Sequence, residues 1–256
     1  MPDTLSSTLS DIAVMTKRNL LRYQRLPQLI IFSSIQPVMF VLLFVYVFGG
    51  AIHTPGVSYV NYLIPGILVQ TVLFGAMLTG VGLADDLSKG MIDRFRSLPM
   101  ARSAVLAGRT ITESIRNIFV VILISAVGFI IGFRIENGIF NFLLAIALVV
   151  LFGFAFSWVS ATIGLAVKNV ETAQTAGFIW VFPLVFASSI FVPVQSMSTG
   201  IRVFAEHNPI SYTVNVVRAL CLGTPVGNDV WYSLAWIVGI LIVFVPLAVS
   251  RYRKIS

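Results

Sequence analysis

Charge is what this sequence is shortest of. Asp, Glu, Lys and Arg make up 11% of its 256 residues, whereas a soluble domain carries about 25%, and so few charged groups cannot coat a globule in water. A soluble enzyme is thereby excluded. Apolar residues take the place of the missing charge, at 57% of the chain with a mean hydropathy of +0.94, and the solvent that accepts such a surface is a lipid bilayer. Cysteine is nearly absent. Cys221 stands alone, which rules out an intrachain disulfide or a cysteine-built metal cage and leaves it as a small apolar filler. Histidine is almost as rare, and neither His53 nor His207 has a partner at metal-ligand spacing, so no metal or haem is expected. No G-x-x-x-x-G-K-[ST] run occurs, so the chain lacks a phosphate-cradling loop and is not expected to hydrolyse ATP alone.

The few charges bound long empty stretches. Between Arg25 and Asp85 lie 59 residues without Asp, Glu, Lys or Arg. As a single helix they would extend about 90 Å, about three times the hydrocarbon thickness, so the stretch must fold back. Gly49, Gly50, His53, Thr54, Pro55, Gly56 and Ser58 form its turn-rich cluster, which predicts spans over 29–49 and 60–83. A long third helix over 104–133, its first turns standing in water or headgroups, is ended by Arg134, Glu136, Asn137 and Gly138. Further spans are predicted over 140–167, 172–194 and 230–250. The expected fold is therefore an all-α membrane protein with six transmembrane helices forming a single domain over 1–256. These spans carry no midplane acid, which disfavours a proton- or sodium-coupled secondary transporter, though that class stays open as an alternative.

With 17 Lys and Arg against 10 Asp and Glu the chain is basic, and on so apolar a sequence the surplus reads as loop charge rather than a nucleic-acid footprint. An even number of spans puts both termini on one side. That side holds 14 of the 17 cations, leaving Arg134, Arg202 and Arg218 opposite, so the positive-inside rule predicts cytoplasmic termini in the cell membrane. The first 25 residues are too charged for a signal-peptide core.

Three segments outside the spans have their own patterns. Residues 1–26 place Leu5, Leu9, Ile12, Leu20 and Tyr23 on one helical face and Asp11, Arg18, Arg22 and Arg25 on another, an interfacial helix. Residues 85–99 pack Asp85, Asp86, Lys89, Asp93, Arg94 and Arg96 around an apolar stripe of Leu87, Met91, Phe95 and Leu98, with Gly90 as a hinge and Pro99 as the stop. Such a helix calls for a partner, or else lies on its own bundle. Residues 195–229 contain an N-cap at Asn208, Pro209 at the first helical position and Gly223 as the stop, with Ile210, Val214, Val217 and Cys221 on one face. That helix would reach about 21 Å, too short to cross, and reads as re-entrant.

A membrane-embedded, metal-dependent phosphotransferase using Asp85, Asp86 and Asp93 is the enzyme alternative. Metal-assisted phosphoryl transfer needs carboxylates that converge, whereas Asp86 and Asp93 stand two turns apart with Lys89, Arg94 and Arg96 available to neutralise them.

Two stretches, "DDLSKGMIDRFRSLPMARSAVLAGR" from Asp85 to Arg109 and "NPISYTVNVVRALCLG" from Asn208 to Gly223, together with "FVPVQSM" from Phe191 to Met197, resemble the permease subunits of type-2 ATP-binding-cassette exporters. Within them the chain is similar to the actinobacterial daunorubicin-exporter-like branch, over nearly its whole length. It departs from the pattern where Asp85 and Asp86 stand in place of a frequent glutamate. The resemblance implies a cytoplasmic coupling helix after span two, a half-inserted external hairpin before span six, a second permease as partner, and two ATPase subunits docked beneath that bind ATP and magnesium. No cofactor is implied on this chain. It further implies that Met91, Phe95 and Leu98 form a ridge seated in an ATPase cleft, with Asp85, Asp86, Lys89, Asp93, Arg94 and Arg96 as rim charges. Phe74, Met77, Phe178 and Phe182, with Gln70 as a polar fixture, would line a path for hydrophobic or amphipathic cargo through the membrane lipids.

Overall fold

The computed structural model describes residues 5–25, 28–54, 56–91, 102–167 and 169–254. Among the described residues the secondary structure is helical and no strand occurs. In chain order the helices are α1 (Leu5–Arg25), α2 (Gln28–Leu43, continued by a π turn at Phe44–Phe48), α3 (Tyr59–Ser88), α4 (Arg102–Ile131), α5 (Gly138–Gly164), α6 (Val170–Phe186), α7 (Thr199–His207), α8 (Pro209–Leu222) and α9 (Asp229–Lys254). Four of them, α3, α4, α5 and α9, are long and apolar enough to cross a membrane, while α2 with its π turn and α6 are shorter apolar helices.

Helix α3 is the axis of the bundle. Its hydrophobic residues are not confined to one stripe, and a helix that is apolar all round belongs inside. Every residue from Asn61 to Met77 is accordingly buried, with α4, α5, α6 and α8 packed around it. Small residues set the closest crossing: a side-chain carbon on Gly164 would overlap the Gly80 carbonyl, and one on Gly80 would overlap the Ser160 carbonyl. Backbones approach this closely only where side chains are missing, the usual device of helix pairs in lipid. Gly164→Ala is therefore expected to push α5 off α3 and cost about 1–3 kcal/mol as an overpacked core position. Thermal unfolding in detergent measures this, and an unchanged midpoint would show that the helices cross elsewhere.

A helix forms over the predicted N-terminal segment, as Leu5–Arg25, but its buried contact is not the one anticipated. Leu9 is 66% exposed, whereas Met15 is 3% exposed and packs where Gly108 of α4 lacks a side chain. The first turns of α4 are packed on one face rather than free on all sides. Ala104, Leu106, Thr110, Thr112, Glu113 and Arg116 are all buried, because α1 covers α4 on one side and α3 covers it on the other.

The span predicted over 172–194 is helical only to Phe186. Beyond it the chain turns, and Ser188, Ser189, Ile190 and Phe191 are buried without being helical. Asn208 explains how the exposed helix end is satisfied. Its Nδ2 donates to the carbonyls of Leu184 and Ala187 at 2.7 and 2.8 Å, while its Oδ1 accepts from the Ile210 N–H at 2.9 Å. One side chain thus caps the C-terminus of α6 and the N-terminus of α8 together. Gly223, at φ +76°, closes α8 in the left-handed conformation that favours glycine. Ile210, Val214, Val217 and Cys221 all face the core, as their spacing predicts.

Candidate functional site

The acidic end of α3 is tied to its surroundings pairwise. Asp85 pairs with Lys89 at 2.7 Å, one turn on, and Asp86 pairs with Arg109 of α4, also at 2.7 Å. The two carboxylates therefore serve different cations. Gly82 makes the second pair possible, since a side chain there would overlap the Arg109 guanidinium. The helix then ends: the Lys89 N–H donates to the Asp85 carbonyl at 3.1 Å and the Gly90 N–H to the Leu87 carbonyl at 3.0 Å, and Gly90 turns the chain at φ +65°. Met91 follows, half-buried against a second apolar cluster that includes Met15, Leu83 and Leu106. Asp93, Arg94, Phe95, Arg96 and Leu98, the remainder of the predicted coupling surface, lie outside the described residues.

A second charged group sits deeper. Arg116 Nε and Glu113 Oε2 are 2.8 Å apart, with both side chains less than 5% exposed. The Tyr23 hydroxyl of α1 donates to Glu113 Oε1 at 2.6 Å, and Arg116 Nη2 donates to Asn117 Oδ1 at 3.0 Å. Burial, and then the adjacent Glu113 charge, push the Tyr23 phenol above its ordinary value, so it remains a hydrogen-bond donor at any physiological pH. Gly75 leaves the room on α3 into which Arg116 and Asn117 fit.

Two cavities meet here. The larger, about 230 Å³, lies between α1, α3 and α4 and is lined by Tyr23, Asp85, Arg109, Glu113 and Arg116 together with the apolar Leu78, Val81 and Val170. The smaller, about 60 Å³, lies between α2, α3 and α4, shares Leu78 and Arg116 with the first, and is closed by Gln36, Thr71, Phe74 and Met77.

The residues predicted to line a path are brought together in part. Phe74 meets Phe182 edge-on at 5.9 Å, Phe182 meets Phe178 at 5.3 Å, and Met77 occupies the space left by Gly177 of α6. Phe74 and Met77 are buried while Phe182 is 43% exposed, so the cluster runs from the protein interior to its surface. Gln70 is 2% exposed and its Oε1 has no hydrogen-bond partner. It shares a helical face with Phe74 and Met77 through its spacing.

Sequence reasoning passed over two centres. Glu113 is the sole acid between Asp93 and Glu136 and stands three residues before Arg116, a spacing that places both on one helical face. Arg218 was counted simply as a loop cation. It lies 3.6 Å over the Tyr62 ring and donates to the carbonyls of Tyr62 and Ser189 at 3.1 and 2.9 Å. Tyr62 donates to the same Ser189 carbonyl at 2.9 Å, so α8 is pinned to α3 and to the turn after α6 by one guanidinium. A lone arginine in an otherwise apolar helix was the available signal.

A buried axial helix, charged groups gathered toward one end of it, and several helices long and apolar enough to cross a membrane fit a multi-pass membrane protein. The chain belongs to the ABC-2 type transporter family, whose profile matches residues 10–222. It is 32% identical over 237 residues to the daunorubicin resistance ABC transporter permease protein DrrB1 of Streptomyces coeruleorubidus, an alignment covering 93% of this chain and 84% of that one. It is 26% identical over 248 residues to the probable doxorubicin resistance ABC transporter permease protein DrrC of Mycobacterium tuberculosis, covering 95% and 88%. A second mycobacterial protein, the doxorubicin resistance ABC transporter permease protein DrrB, is 27% identical over 173 residues, covering 67% and 60%. Members of the family are transporter membrane subunits whose ATPase activity resides in a separate subunit, and membership places this chain in the cell membrane.

Proposed function

We propose that this chain is the membrane half of an ATP-driven exporter that moves a hydrophobic or amphipathic substrate, of the class of drugs, lipids, polyketides or glycans, out of the cytoplasm. The observation that carries the coupling step is the single rigid helix α3, buried through the bundle and ending at Asp85–Lys89, directly before the segment 91–98. Force applied at that end moves the centre of the protein, which is what ATP-driven closure of a docked ATPase pair requires. Met91, Phe95 and Leu98 form the docking ridge, and Asp85, Lys89, Asp93, Arg94 and Arg96 its rim, while Asp86, expected on that rim, is turned inward to Arg109. A second permease completes the pathway, with Gln70, Phe74, Met77, Phe178 and Phe182 on the substrate side. ATP and magnesium stay on the ATPase subunits. The relatives named for daunorubicin and doxorubicin resistance support a drug-like amphipathic cargo.

The topology belonging to this reading has six spans, α2, α3, α4, α5, α6 and α9, with both termini and residues 85–99 cytoplasmic and 195–229 outside. Helix α6, at 17 residues, reaches about 25 Å, and the buried turn after it supplies the remaining depth. Cysteine labelling in intact cells tests the arrangement. A membrane-impermeant thiol reagent is expected to modify Thr199→Cys and to spare Ser97→Cys. The native Cys221 is 0% exposed and adds no background. The reverse pattern overturns the six-span orientation.

A further inference from the structure

We propose that the cavity between α1, α3 and α4 binds the polar end of an amphipathic molecule, and that the group it takes is zwitterionic or uncharged rather than net anionic or cationic. The first support is the division of its walls. Leu78, Val81 and Val170 are apolar, while Asn19 and Arg116 bring hydrogen-bonding side chains to the same cavity. Arg116 is 5% exposed, and its Nε and Nη2 are held by Glu113 and Asn117. Its Nη1 has no protein partner among the described residues. A ligand oxygen in the cavity would give this guanidinium a further charge-assisted hydrogen bond.

The second support is charge balance. Among the described residues the charged side chains lining the cavity balance, Arg109 and Arg116 against Asp85 and Glu113, and Arg109 is paired with Asp86 and Arg116 with Glu113. A ligand carrying net charge would bring an uncompensated ion into a pocket whose walls are largely apolar. A zwitterionic or hydroxyl-rich group brings hydrogen bonds without that penalty. Size is the third support. About 230 Å³ is below the 300–1,000 Å³ or so of pockets that enclose a whole drug-sized molecule, and it suits one end of an amphiphile. The apolar remainder has somewhere to go. The adjoining cavity begins at the shared Leu78 and Arg116 and reaches Phe74 and Met77, and Leu78 itself is 37% exposed, which leaves room for a chain to run out along α3.

This inference deepens the exporter reading by naming the polar group of the cargo, yet binding is a property of the permease alone and is measured without any ATPase. Delipidated chain in detergent is incubated with equal amounts of phosphatidylethanolamine and phosphatidylglycerol of identical acyl chains, and retained lipid is read by native mass spectrometry. The wild type is expected to retain the zwitterionic lipid about tenfold over the anionic one. Val81→Trp, which fills the cavity from its apolar wall and leaves every ion pair in place, is expected to abolish that preference. Leu78→Trp does the same from a more exposed position should Val81→Trp fail to fold, and Val238→Trp, on the exposed face of α9, is expected to leave it unchanged. Displacement by dodecylphosphocholine but not by dodecyl phosphate identifies the headgroup, rather than a bilayer lipid as such, as what is recognised. Equal retention of both lipids by the wild type, or an unchanged preference in both cavity-filling variants, overturns the proposal. Failure of the chain to export anything with an ATPase partner would overturn the exporter reading and leave this binding result standing.

Discussion

Glu113→Ala is expected to destabilise the protein by about 3–5 kcal/mol, because it breaks a buried pair and strands the surviving charge. Arg116 loses its carboxylate while both side chains are less than 5% exposed. Tyr23 loses the acceptor that holds α1 to α4 at 2.6 Å. Detachment of α1 should therefore accompany the loss of stability, visible as faster proteolysis near Arg18 and Arg22. The double change of Glu113→Leu with Arg116→Met removes both charges and keeps the volume, and buried pairs replaced in this way are often neutral in stability. Its unfolding midpoint should recover much of the loss seen in the single variant. Equal damage from the double change would mean that the side chains matter for their hydrogen bonds to Tyr23 and Asn117 and not for the charge pair. A harmless Glu113→Ala would mean the site is hydrated in the membrane.

Phe95→Ala is expected to separate assembly from folding. An aromatic anchor at the centre of a small docking surface is worth about 2 kcal/mol or more, so binding of the ATPase subunit should weaken about thirtyfold or worse, with transport falling alongside. Arg96→Ala at the rim should cost under about 1 kcal/mol, since exposed ion pairs contribute little, while slowing docking at low salt. Both variants should unfold at the wild-type midpoint. Co-purification of the ATPase with the two variants, read together with transport, makes the comparison. Full complex and full transport in Phe95→Ala would reduce residues 91–98 to a loop helix with no coupling role.

The termini of α8 could be placed to the residue from local chemistry. Asn208, Pro209 and Gly223 are capping residues whose effect depends on the backbone within a turn of them, and α8 runs from Pro209 to Leu222 as that chemistry requires. What local chemistry could not supply is the second use of Asn208, whose Nδ2 caps a helix that ends 22 residues earlier, at Phe186. The same limit explains the shortfall of α6. An apolar run continues past Phe186, and composition does not distinguish a helix from a buried turn when both are apolar. The turn is stable because Ser211 and Arg218 of α8 satisfy the backbone of Ser189.

By itself the sequence determined the solvent of this protein, its helical class, the family it belongs to and the ends of several helices. Those properties follow from composition, from the spacing of charges and from capping residues, all of which act over a few residues or over the chain as a whole. The tertiary structure alone decided that α3 is the axis, that Arg109 faces Asp86, that Tyr23, Glu113 and Arg116 share one buried site, and that two cavities meet beside them. These features depend on residues distant in sequence, such as Tyr23 and Glu113 at 90 positions apart, brought together by helix packing. Packing in turn rests on where glycines such as Gly75, Gly82, Gly108 and Gly164 let backbones or long side chains approach, a relation between two helices that neither helix's own pattern contains.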